Sequence, residues 1–370
     1  RRQSGNAQRL FDHAQNVFYI GEVARFSGRP TDAEKAWREY KRLAEQMVAL
    51  QPDNLKYRME ALYASQDIGI SLYFEHRFRE AQQLFEATGS QMEKLASFYP
   101  SNTSYQKEFA SVLAWAADAR RSRGNLKGAV AAREKQIALL QQVLGAGADS
   151  NIRSGLITAR EGLAIALAES GNTDGAIQRL QEAVGDSEEL ILIEPRNAMW
   201  KQMAADTRLA LGQILLSTQR RGEAEQQVSR GCALTGGLPP AYATAKARLS
   251  TNCALMRSRL ALAAGAPSQA VSFAQQALAF ARKERSEDPV ADIFRSASVN
   301  LLLGDARLAA GDRTGAQAAW NEAIGRLPSD VEERPIETNQ RMQLLRRMIR
   351  VAEAEPLQAR LNGIGYRSMT

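Results

Sequence analysis

Residues 301–320, LLLGDARLAAGDRTGAQAAW, set the pattern of the chain. A small residue, Gly304, stands seven positions before a turn glycine, Gly311, and Ala316 stands five after it. The figure recurs six times upstream and ends in alanine every time. These alanines are Ala33, Ala81, Ala129, Ala176, Ala224, Ala270 and Ala316, spaced 48, 48, 47, 48, 46 and 46 apart. A fixed period of this length marks a stacked repeat protein. The turn positions are Gly28, His76, Gly124, Gly171, Gln219, Gly265 and Gly311, and glycine suits the residue just past a helix end because positive φ costs it no Cβ clash. The small positions are Gly21, Gly69, Ala117, Ala164, Gly212, Ser258 and Gly304. Each copy therefore predicts two helices that cross closely near their turn. Nine residues after the turn, Trp37, Phe85, Leu180, Val228 and Trp320 are placed to fill the groove against the next pair, with Arg133 and Ala274 as departures.

This Gly-x6-Gly-x4-Ala figure, followed by a bulky residue, resembles the tetratricopeptide repeat, and Pro328, seventeen residues after the last turn, fits it too. The usual period of that family is about 34 residues. The repeats here are about a dozen residues longer, with helices extended away from the turn. HEAT and armadillo repeats, at about 40–47 residues, are the rival by period; the register held in seven copies favours the tetratricopeptide reading. The resemblance implies an all-α, right-handed α-solenoid of about seven helix pairs and a C-terminal capping helix.

The pairs are expected over about 7–54, 55–102, 103–151, 152–197, 198–240, 241–289 and 290–329, with a cap and tail over 330–370. In the first pair, Phe18 and Ile20 are assigned to the apolar face, and the second helix is expected to start near Thr31 and Asp32, whose side-chain oxygens can cap it. A Pro-x-Asn connector recurs at Pro52, Pro100 and Pro195, with Asn54, Asn102 and Asn197 two residues on. Proline disfavours helix before it and asparagine caps the helix after it. Pro289 holds the same slot without the asparagine. The connector over 145–151, GAGADSN, lacks the strand context and Lys-Ser/Thr of a phosphate loop and reads as a helix–helix turn. The tail predicts one helix over 337–354 and a short one ending near Leu361, Asn362 and Gly363.

Composition changes the picture little. No run of about 18 apolar residues could span a membrane. The start, RRQSGNAQRL, has neither methionine nor an apolar signal core and reads as a cut end of something longer. The net charge of +7 would serve nucleic acid only if focused on one face. Its local clusters (Arg120, Arg121 and Arg123; Arg220 and Arg221; Arg346, Arg347 and Arg350) fall near helix ends, where arginine favours the macrodipole without any ligand. Cys232 and Cys253 sit on neighbouring predicted helices. A disulfide and two buried thiols both fit that placement; buried thiols are the expectation, and two cysteines say little about compartment.

Candidate chemistry is sparse. The two histidines, His13 and His76, have no second histidine or cysteine at ligand spacing and no G-x-S-x-G serine nearby. No catalytic residue, cofactor site or metal site is expected, and the segment reads as non-enzymatic. Solenoids instead bind along a concave surface lined by the first helix of each pair. The positions three, six and ten before the turn should face it. They include Phe18, Glu22, Arg25, Gln66, Ile70, Tyr73, Asp118 and Arg121, then Glu161, Ile165, Leu209, Gln213, Leu255, Arg259, Leu301 and Asp305. The first group is polar and aromatic, the second mostly apolar. Aromatic residues with arginine are common recognition anchors, so Phe18, Glu22, Arg25, Gln66, Tyr73, Asp118 and Arg121 form the candidate partner surface. Core packing of Phe18 and Tyr73 between long helices is the alternative. The Lys/Asn clamp of tetratricopeptide domains that hold C-terminal carboxylates is not visible at these positions.

A narrower resemblance spans nearly the whole chain. AQRLFDHAQNVFYIGEVARFSG, YKRLAEQMVALQPDN, LLLGDARLAAGDRTGAQAAW and LQARLNGIGYR are similar to the long-repeat region of large bacterial signalling proteins. There the array follows an effector (a Toll/interleukin-receptor-like domain, a kinase or a winged helix), often with a membrane helix between them. This implies a scaffold or sensor that takes a protein or peptide in its groove, in the cytoplasm or tethered beside the inner membrane. Two other functions stay open: binding of nucleic acid or another anionic polymer through the positive charge, and a spacer or oligomerisation arm.

Overall fold

A computed structural model describes residues 2–145, 150–284 and 286–369; most of the connector over 145–151 lies outside them. The helices follow in pairs, each first helix joined to its second by a tight turn. They are α1 (Arg2–Phe26) and α2 (Pro30–Leu50), α3 (Leu55–Phe74) and α4 (Phe78–Phe98), α5 (Thr103–Ser122) and α6 (Leu126–Gly145), α7 (Ser150–Glu169) and α8 (Thr173–Ile193). Next come α9 (Ala198–Ser217) and α10 (Arg221–Gly236), α11 (Ala243–Ala263) and α12 (Pro267–Ala281), α13 (Pro289–Ala309) and α14 (Arg313–Arg326), α15 (Pro335–Arg347) and α16 (Val351–Gly363). Among the described residues there is no strand, and no helix is long and apolar enough to cross a membrane. Two compact units divide the chain: Arg1–Arg123 holds α1 to α5, and Gly124–Thr370 holds α6 to α16.

The turns explain the period. Every expected turn residue has positive φ, including the two that are not glycine, His76 at 60° and Gln219 at 62°. The hydrogen bonds repeat as well. At the first turn Gly28 N–H donates to Arg25 O (2.9 Å) and Arg29 N–H to Ala24 O (3.0 Å). Gln219 and Arg220 make the same two bonds to Leu216 O and Leu215 O. This is the Schellman closure of a helix end, which satisfies carbonyls that the helix leaves open.

The closure also joins two helices where the sequence predicts one. Ile349 (φ 59°) donates to Arg346 O and Arg350 to Leu345 O, so the expected single helix over 337–354 is broken into α15 and α16. Ala354, five residues on, is buried like the other repeat alanines. The cap is an eighth pair whose turn residue is isoleucine and whose small position is Met342, which is why the figure does not show in the sequence.

In four pairs, α1/α2, α3/α4, α9/α10 and α13/α14, the small residue of the first helix receives the bulky residue of the second. A Cβ on Gly69 would lie 2.6 Å from the Phe85 ring, and one on Gly212 would lie 2.7 Å from Val228. Trp37 covers Gly21 and Trp320 covers Gly304 more closely still. The bulky positions thus close their own pair, a mate different from the next-pair groove that the sequence suggested. Where the bulky residue is missing, at Ala274, Ser258 Oγ donates to Ala270 O instead (2.8 Å). All seven figure alanines are essentially inaccessible.

Connectors follow the Pro-x-Asn logic. Asn54, Asn102 and Asn197 accept from Lys56 N–H (3.1 Å), Ser104 N–H (3.1 Å) and Met199 N–H (3.0 Å). At Pro289 the cap is Asp288, which accepts from Ala291 N–H (2.7 Å). Three local expectations change. α2 starts at Pro30, so Thr31 and Asp32 lie inside its first turn and Arg29 precedes it without a side-chain cap. Ile20 is exposed (62%), while Phe18 packs against the core. Cys232 on α10 and Cys253 on α11 are joined in a disulfide, with Cα atoms 5.6 Å apart, where buried thiols were expected.

Two stability outcomes follow. Gly304→Ala gains helix propensity but drives a methyl into the buried Trp320 ring; overpacking of this kind costs about 1–3 kcal/mol, so the variant should melt below the parent chain. Ile349→Gly relieves a β-branched residue held at positive φ on the surface and should raise stability by about 1 kcal/mol. Urea midpoints of the two variants check both signs.

Candidate functional site

A concavity of about 970 Å³ lies within the second unit and is walled by α7, α9, α11, α13, α15 and the segment after α16. Its lining follows the turn register. Glu161, Leu209, Gln213, Leu255, Arg259, Leu301 and Asp305, all expected to face inward, line it; Ile165 does not. The eighth pair adds Asn339, Gln343 and Arg346 at the same positions.

What the sequence missed lies further from the turn. Asp206, Asn252 and Ser298 stand thirteen residues before their turns, and Arg248 and Phe294 seventeen before theirs. They continue the same helical face by one and two turns, since residues three and four apart stack on one side. Helices of about 20 residues have room for this; the signal was present but the inward face was counted only to the tenth position. The correction matters because four of these five added positions are polar. The cavity is lined by seven arginines and four carboxylates, not by the apolar surface expected for this half of the chain.

Most of these charges are held in pairs. Arg248 forks onto Asp206 through two bonds of 2.7 Å. Arg347 forks onto Asp305 (2.8 and 3.0 Å), and Arg334 binds Glu337 (2.8 Å) and Asp288. Arg295 reaches Glu284 at 3.2 Å. Arg259 differs. Burial alone lowers its pKa, and no carboxylate pairs with it among the described residues. Arg259 is half-buried in the cavity lining, and a guanidinium that loses part of its water without gaining an anion is destabilised, while its donors face no carboxylate among the described residues.

Glu161 is the second perturbed group. Burial pushes its pKa up to about 7, Asp206 adds to the rise, and Arg248 and Arg133 oppose it. Other arginine clusters seen in the sequence are engaged in surface structure: Arg120 with Glu86 (3.0 Å), Arg220 with Glu223 (2.6 Å) and Arg350 with Glu353 (2.6 Å).

The candidate partner residues of the first unit lie on α1, α3 and α5. Phe18 packs edge-on to Tyr40, with centroids 5.7 Å apart. Glu22 and Arg25 pair at 3.2 Å, and Gln66 donates to Ser111 Oγ at 3.2 Å. Tyr73 is 7% exposed; its hydroxyl meets Ser122 Oγ (3.2 Å) and its ring packs on Phe78 and Trp115. That side chain belongs to the core. Asp118 and Arg121 are half-buried and already engaged in other contacts. Asp67, not singled out by the sequence, lies near Glu22 and Arg25; burial is the main cause that pushes its pKa up to about 7.

No protein-family model and no curated protein matches this chain. Solved structures do. RapI in its apo form is matched at a TM-score of 0.58 and 12% identity, over 85% of this chain and 97% of that one. The Rap conjugation gene regulator of plasmid pLS20, solved with the Phr* peptide, is matched at 0.55 and 12%, over 95% and 96%. A tetratricopeptide repeat protein from Parabacteroides merdae is matched at 0.50 and 11%, over 90% and 98%. The fold is a tetratricopeptide-like repeat array. The tetratricopeptide-like pairs here place their first helices around the cavity, as the turn register requires.

The Glu161 shift carries a sign. A carboxyl whose folded pKa lies above its unfolded value keeps a proton that the unfolded chain has released, so stability falls as pH climbs from about 4.5 to about 7. Asp67 acts in the same direction in the first unit. Glu161→Gln should therefore show a smaller loss of urea midpoint between pH 5 and pH 8 than the parent chain. An equal loss would remove Glu161 from the account.

Proposed function

We propose that this chain is a non-catalytic scaffold or sensor array of a bacterial regulatory protein, and that the cavity of its second unit binds an extended peptide bearing a carboxylate. The observation that carries the reading is Arg259, a guanidinium in the lining of the concavity that pairs with no carboxylate among the described residues. A peptide carboxylate seated there would supply the missing charge through charge-assisted hydrogen bonds. The paired arginines around it fix the wall and leave a positive excess that steers an acidic ligand. Support from likeness is of fold: a Rap regulator of similar fold was solved with a peptide. The set on α1, α3 and α5, apart from the core residue Tyr73, is proposed as a separate partner surface of the first unit.

Fluorescence anisotropy with two labelled hexapeptide pools, one containing glutamate and one with lysine at the same positions, tests this. The acidic pool should bind, and Arg259→Met should weaken it at least tenfold, about 1.4 kcal/mol, with an unchanged melting curve. Equal binding of both pools, or no effect of the substitution, rejects the cavity reading. A labelled DNA duplex run alongside, bound with a steep salt dependence, would instead favour the anionic-polymer function.

A further inference from the structure

The segment that follows α16 forms part of the wall of this cavity. Gly365, at φ 70°, turns the chain out of the helix, and Tyr366 N–H closes the turn on Leu361 O (3.0 Å). The Tyr366 ring is buried in a cluster with Met342, Leu345 and Leu361, which anchors the segment to the last pair. From there the chain runs without regular structure to α7. Arg367 N–H donates to Glu169 O, the last residue of α7, at 2.7 Å. Asn339 Nδ2 donates to Ser368 Oγ at 3.1 Å. Met369 is 9% exposed and joins the apolar cluster that includes Ala164, Ala168, Leu211 and Leu215. Residues 366–369 are all part of the cavity lining.

These contacts are of the kind a bound peptide makes: one main-chain hydrogen bond, one side-chain hydrogen bond and one apolar side chain in a pocket. The cluster that Met369 joins is made of alanine, leucine, isoleucine and valine side chains, and an unbranched, flexible methionine adapts to the irregular gaps such a surface leaves. Elsewhere each pair is fastened to its neighbours by helix faces. Here a four-residue strap fastens α15 and α16 to α7.

We propose that residues 365–369 are a built-in ligand of the cavity, that Met369 marks a subsite for an unbranched apolar side chain, and that an incoming peptide must displace the strap. The competition rests on the peptide-binding reading given above; the subsite does not. A tethered segment acts at an effective concentration of roughly millimolar order, so its occupancy lowers the apparent affinity of any competitor by the fraction of time the site is free.

The full chain and its Met369→Asp variant test the idea, because a carboxylate at this position cannot stay in an apolar cluster. The probe is a labelled pentapeptide of residues 365–369, GYRSM, acetylated and amidated. It should bind the variant at least tenfold more tightly than the parent chain, and amide exchange at Arg367 should quicken in the variant. Arg367→Pro, which removes the donor to Glu169 O, is the second variant and should behave alike. If the pentapeptide binds parent and variants equally, or if the Arg367 amide exchanges freely in the parent, the strap is not a ligand. The acidic hexapeptide pool separates the two claims. Tighter binding to Met369→Asp supports competition, and equal binding overturns it. Pentapeptide binding without any acidic-pool binding keeps the subsite and rejects the carboxylate function.

Discussion

The structure depends on one contact repeated along the chain: a bulky side chain of the second helix lying on a small residue of the first. Trp37 on Gly21, Phe85 on Gly69, Val228 on Gly212 and Trp320 on Gly304 bring the two backbones together nine residues past a turn of fixed geometry. Interiors are close-packed and tolerate little added volume, so this contact fixes the crossing. The far ends of the helices are not fixed by it. They can lengthen without disturbing the pair, which is how a period of 46–48 residues coexists with a turn that resembles that of a much shorter repeat.

That lengthening builds the cavity wall. Arg248, Asp206, Asn252 and Phe294 all sit on the extended part of their first helices, beyond the stretch governed by the crossing. A shorter repeat has no such positions. Their charges are costly to remove from water, and a buried ion pair gains little over an apolar one. A polar lining is therefore weak as a stabilising device. Its more natural consequence is a fixed wall, since carboxylates hold Arg248, Arg334 and Arg347 still; on the proposed reading that leaves Arg259 to the ligand.

How much of this could be read from the sequence depends on what each position must satisfy. Turn positions were legible because positive φ and the closing hydrogen bonds impose a register that even His76 and Gln219 obey. The eighth pair was not legible, since isoleucine and methionine replace both diagnostic residues while the backbone does the same thing. Inward positions near the turn were legible from helical spacing alone. Arg248 and Asp206 were missed because the spacing was not carried to the ends of the helices, whereas Glu161, Arg259 and Asp305 lay within it. Tyr73 shows the opposite failure: an aromatic residue at an inward register position is held in the core by Phe78 and Trp115. Spacing names a face of a helix, but the neighbouring helix decides whether that face is open.

The strap has a consequence for the array as a physical object. Stability in a repeat protein is approximately a sum of terms within pairs and between nearest neighbours. The bond from Arg367 to Glu169 O and the burial of Met369 beside Ala164 and Leu211 add a term between pairs that are far apart in the chain. Fraying of α16 then costs contacts at α7, and loosening of α7 exposes Met369. α7 and the last pair are therefore coupled in free energy, and any ligand that binds only when the strap is out is linked to that coupling with opposite sign. On the proposed reading, a groove in an ordinary solenoid binds by addition, whereas a peptide would enter this one by exchange.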